Sequence, residues 1–102
     1  MKTTEIEFNE VKIEDLEGNT VGVPAFYQKM LGNRLYTSAP DIDTADLGRK
    51  IHESERAATE LNLSQEELQL LVNLFDQFVI LGFPLHSAIK QYLTNKLTSF
   101  KN

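Results

Sequence analysis

The stretch from Ser64 to Leu81 reads as one helix whose apolar surface is too broad for a single buried face. Its start is clearly written. Ser64 and Glu67 stand in capping-box spacing, so each can satisfy a backbone donor of the first turn. Leu63 before the cap and Leu68 beyond it are placed as a hydrophobic staple. At about 100° per residue, Leu68, Leu71, Val72, Phe75, Phe78 and Val79 form one stripe. Leu70, Leu74 and Leu81 widen it sideways, to an arc of roughly 200° against about 100° for an ordinary surface helix. A helix of this kind has to be covered from two sides, by its own chain or by a partner. Leu70, Leu74 and Leu81 mark the flank whose cover is least accounted for, and they are candidate interface residues.

The rest of the chain supplies part of that cover. Pro84 fits the first turn of a last helix over 84–98, with Gly82 as the cap that ends the helix before it. Leu85, Ala88, Ile89, Tyr92, Leu93, Leu97 and Phe100 give this last helix a single apolar face. Upstream, Asp41 or Asp43 caps a helix in which Leu47, Ile51, Ser54, Ala58 and Leu61 follow helical spacing. That helix ends either near Glu53 or at Leu61, with Asn62 as its stop. Pro24 to Leu31 predicts a short helix stopped by Gly32, followed by an extended piece over Asn33 to Ser38.

Residues 5–23 alternate apolar and polar side chains and predict antiparallel strands around the turn Glu17-Gly18-Asn19-Thr20. The alternation shifts phase near Asp15, which calls for a bulge or a longer loop and leaves the register open. The expected fold is α+β: an N-terminal β-hairpin or small sheet (5–23), then three to four helices within 41–100, all in one domain over 1–102. A chain of 102 residues suits that size.

The charge is unevenly spread. Residues 1–20 carry six acids and two lysines, 41–81 nine acids and three bases, and 82–102 three lysines and no acid. Residues 21–40 hold Lys29 and Arg34 and no acid. Within this last stretch, Phe26, Tyr27, Arg34 and Tyr36 combine aromatic and basic character. That combination is enriched where proteins meet, and these four join the candidate interface residues. The overall balance of −5 opposes a phosphate backbone.

Other patterns lead to bland readings. Asp41, Asp43 and Asp46 begin like a calcium loop, but Ala45 and His52 fall where it needs ligands. The acids read instead as helix caps. His52 and His86 lie in no zinc-protease spacing, and no nucleophile elbow is present. The glycines form no phosphate-binding loop. No catalytic residue, cofactor or metal site is therefore expected. With no cysteine, no leader-like segment and no apolar run long enough to span a bilayer, a cytoplasmic protein without membrane contact is the expectation.

The segments Glu14-Asp15-Leu16-Glu17-Gly18-Asn19, Leu31-Gly32-Asn33-Arg34-Leu35-Tyr36, Ala45-Asp46-Leu47-Gly48-Arg49-Lys50-Ile51 and Leu63-Ser64-Gln65-Glu66-Glu67, in that order, resemble small proteins encoded by bacterial phages and prophages. The resemblance implies an assembly or regulatory role and carries over no catalytic residues. The leading expectation is a non-enzymatic interaction or assembly protein that binds a protein partner or forms a homo-oligomer. The alternative is a small regulator touching nucleic acid through 26–36 or through Lys90 and Lys96. A metal-dependent hydrolase using Asp41, Asp43, Asp46 and His52 comes last.

Overall fold

The computed structural model describes residues 2–79 and 82–100. The fold is α+β. Strand β1 (Thr3–Glu5) is followed by a 3₁₀ turn at Phe8–Glu10, strands β2 (Lys12–Glu14) and β3 (Thr20–Gly22), helices α1 (Tyr27–Thr37) and α2 (Ile42–Arg56), strand β4 (Asn62–Ser64), and helices α3 (Gln65–Leu74) and α4 (Phe83–Ser99). Among the described residues, no helix is long and apolar enough to cross a membrane.

The N-terminal strands divide between two small sheets. β2 and β3 form the expected hairpin, with Ile13 opposite Val21 and Glu14 opposite Thr20. β1 instead pairs antiparallel with β4, placing Thr3 opposite Ser64 and Glu5 opposite Asn62. The Ile6 amide extends that ladder by donating to the Leu61 carbonyl at 2.8 Å. The 3₁₀ turn separates the two sheets, and both Ile6 and Phe8 remain buried. The phase shift at Asp15 resolves as a longer loop, Asp15–Asn19, and Leu16 stands at its tip rather than opposite Val21.

Helix α1 does not stop at Gly32. It runs on to Thr37, so Asn33 to Ser38 is not an extended segment. Gly32 keeps helical backbone because its role is spatial: a Cβ there would lie 2.7 Å from the carbonyl oxygen of Gly48 on α2. The two helices pass at a glycine–glycine crossing. Gln28 Nε2 adds a tie by donating to the Ile51 carbonyl at 3.0 Å.

Helix α2 is capped by Asp41, whose carboxylate accepts from the Thr44 amide at 2.8 Å. It ends at Arg56 by a paired closure in which the Ala58 amide donates to Glu55 and the Thr59 amide to Ser54. Ala58 supplies the left-handed residue, φ 55°. The chain then turns into β4, so Asn62 opens a strand and is not a helix stop.

Helix α3 starts as its sequence predicts. The Ser64 amide donates to Glu67 Oε1 at 2.9 Å, and the Glu67 amide to Ser64 Oγ at 3.2 Å. Leu63 and Leu68 are fully buried. The helix is shorter than its apolar pattern, however, and ends at Leu74. The amides of Asp76 and Gln77 reach back only three residues, to Asn73 and Leu74, and the helix tightens into a turn. The Phe75 carbonyl would bond the amide of residue 79 in a continuing helix. Instead it meets His86 Nε2 of α4 at 3.0 Å, with the imidazole stacked on the Phe75 ring at 4.8 Å. A side chain from α4 thus closes the end of α3. Gly82 is the cap that starts α4, not the one that ends α3.

The core lies where these elements converge. Leu85, Ile89, Leu93 and Leu97 give α4 one buried row. Leu68, Leu71 and Phe75 of α3, Leu31 and Leu35 of α1, and Leu47 and Ile51 of α2 belong to the same buried cluster.

Candidate interaction surface

The seven candidate interface residues separate sharply. Tyr27 is 1% exposed and packs edge-on against Phe8, with ring centroids 5.5 Å apart. It belongs to the core and cannot meet a partner. Its position explains this: helical spacing puts it on the same side of α1 as Leu31 and Leu35. Leu74 is also a core residue, 8% exposed, and Leu70 is half-buried against the same core. The flank of α3 that lacked cover in the sequence is covered at Leu74 by the chain itself. Leu74 lines a pit of about 50 Å³ together with Arg34, Leu35, Pro40, Thr44 and Phe78, where the α1–α2 junction closes over the end of α3. Leu81 lies outside the described residues.

Phe26, Arg34 and Tyr36 do reach the surface, on two different sides of α1. Tyr36 is half-exposed and turns toward α2, where the Arg49 guanidinium carbon lies 5.4 Å from its ring centre. It borders a polar groove of about 250 Å³ over the glycine crossing, with Asn33, His52 and Glu53. Phe26 and Arg34 fall on the other edge, eight residues apart. Between them stands Met30, which sequence reasoning passed over; its spacing of four from each neighbour is the signal that could have found it. Phe26 is 56% exposed and Met30 42% exposed. Phe26 has helical backbone, and its carbonyl accepts from the Met30 amide at 3.1 Å, so the three form one row. The Arg34 guanidinium lies over the Phe78 ring at 5.4 Å and joins the row to the segment after α3, where Val79 is exposed.

The polar candidates are placed by simpler causes. Asp41 caps α2, and the Thr44 amide holds its carboxyl below the usual range. Among the described residues, no three acids or histidines are grouped to hold a metal ion. His52 sits half-buried beside Gly32, and His86 is buried at the end of α3.

A cleft of about 500 Å³ opens between β1, the 3₁₀ turn and the end of α2. Its ionisable side chains, Glu5, Glu7, Glu55 and Glu60, are all acidic. Hydrogen bonding with Glu10 and the charges of Glu5 and Glu10 raise the Glu7 carboxyl above its ordinary value. Ser54, a hydroxyl in the same lining, already donates to the Thr59 carbonyl at 2.7 Å.

Comparison with protein-family models, with curated proteins and with solved structures finds no match.

Proposed function

We propose that this is a non-enzymatic interaction protein that self-associates through the exposed edge of α1. The observation that carries the reading is the row Phe26, Met30 and Arg34: two large apolar side chains left in water, on the helical row that leads to Arg34. Scattered apolar residues are ordinary on a surface. A row of them along one edge of a packed helix forms one face. Aromatic, methionine and arginine side chains are the types enriched where proteins meet. Residues 21–40 contain no acid to interrupt that face. The resemblance of the sequence to small phage and prophage proteins fits an assembly role of this kind.

The test is molar mass by light scattering over a wide range of protein concentration. The mass should rise toward twice that of the chain, and a Phe26→Ser, Met30→Ser double variant with an unchanged circular-dichroism spectrum should stay at the single-chain value. A wild-type chain that stays single at every concentration would overturn the reading.

A further inference from the structure

The β2–β3 hairpin ends in a second exposed apolar group with the opposite electrostatic setting. Leu16 is as exposed as an isolated residue, 107% of the reference area. The loop that carries it is nevertheless fixed. Asp15 Oδ1 accepts from the Glu17 and Asn19 amides at 2.9 and 2.8 Å, and the Asp15 amide donates to the Asn19 carbonyl at 2.9 Å. Gly18 closes the turn with φ +84°. An ordered leucine held entirely in water gains nothing from burial within its own chain, while the ordering itself costs entropy. Around it stand Glu14 and Glu17, and residues 13–20 contain no base. Neither glutamate forms an ion pair among the described residues.

From this pairing of an acidic, leucine-tipped hairpin with a basic, apolar edge of α1, we propose that the hairpin of one copy docks on the α1 edge of a second. Leu16 packs between Phe26 and Met30, and the Glu14 and Glu17 carboxylates face Lys29 and Arg34. This rests on the proposed self-association and names the occupant of that surface. Charge complementarity is the argument for a second copy. The chain carries on its own surface both an apolar tip ringed by acids and an apolar row flanked by bases. Each copy holds both halves, so a two-fold arrangement in which two copies exchange identical contacts closes as a dimer, whereas a single tip-to-edge contact would continue to further copies. The apolar side chains supply most of the affinity, while the charges set register and encounter rate.

The experiment is sedimentation equilibrium on the full chain and its surface variants. Leu16→Ser lies in open solvent and should leave folding intact while raising the dissociation constant at least about tenfold. Arg34→Glu and Glu17→Arg should each weaken association, and the Arg34→Glu, Glu17→Arg double variant should recover it. Restoration by the exchanged pair supports direct contact. If the wild type associates and Phe26→Ser, Met30→Ser abolishes association, but Leu16→Ser and the charge exchange change nothing, the hairpin is overturned while the α1 surface stands. A wild type that remains single at all concentrations overturns both.

Discussion

Gly32 and Gly48 face each other across the α1–α2 crossing, and each would place an added Cβ 2.7 Å from the other's carbonyl oxygen. The obstacles are backbone atoms, so rotation of a side chain cannot relieve the clash. A second backbone atom stands in the way at each position: the Gly48 Cβ would also lie 2.7 Å from the Tyr36 amide nitrogen, and the Gly32 Cβ 2.8 Å from that of His52. Alanine normally favours a helix over glycine by roughly 0.5–1 kcal/mol. Forcing the helices apart costs about 1–3 kcal/mol. Gly48→Ala should therefore lose on the order of 1 kcal/mol net, read as a lower urea midpoint. Gly22→Ala serves as the control, since its methyl would meet only Lys12 Cγ at 4.0 Å.

Tyr27 presents the opposite case, in which removing an atom should help. Its ring fills the core against Phe8, but its buried hydroxyl has no hydrogen-bond partner among the described residues. Burial pushes the phenol well above its ordinary value, since the phenolate would be stranded there. Tyr27→Phe keeps the ring packing and removes the stranded polar atom. The variant should be more stable by about 1 kcal/mol, the lower end of the penalty for an unsatisfied buried group, and should show a higher thermal midpoint.

The same contrast between local and distant causes explains what could be read from the chain. The capping box at Ser64, the staple leucines and the single apolar face of α4 depend on neighbours within one or two turns, and all stand as their spacing predicts. The end of α3 depends on His86, eleven residues beyond Phe75, so the apolar pattern ran past it. Gly32 reads as a stop when only its own segment is considered, because its partner Gly48 lies on another helix. β1 finds β4 across most of the chain, and alternation over 5–8 cannot name that partner. For the candidate surface, composition marked the right stretch of α1. Helical phase decided which side chains were left outside: Tyr27 went to the core, Tyr36 toward Arg49, and Phe26 and Arg34 to a shared edge with Met30.

Ala58 adopts the left-handed backbone that closes α2, with φ 55°. A residue with a Cβ holds this conformation at a cost of about 1–2 kcal/mol, whereas glycine accepts it freely. Glycine also gives more freedom to the unfolded chain, which offsets part of the gain. Ala58→Gly should stabilise the protein by roughly 0.5–1 kcal/mol. Ala58 is exposed, so no packing is lost. Chemical denaturation of the two chains side by side checks it.

Asp15 makes the hairpin tip sensitive to acid. The Asn19 amide, then that of Glu17, hydrogen-bonds its carboxylate, and together they hold the carboxyl below its ordinary value of 3.8. A carboxyl lowered in the folded state stabilises it fully above that ordinary value and loses the contribution as pH falls through the lowered one. The loop should therefore keep its order down to about pH 4 and loosen below it. Backbone amide shifts of Glu17 and Asn19 followed by NMR should move together with the Asp15 side-chain titration, at a pH below the ordinary aspartate range. Asp15→Asn retains an oxygen that can accept from the same amides but cannot titrate. In that variant the two amide shifts should remain flat through the same pH interval, and a transition that persisted would assign the loosening to another acid of the hairpin.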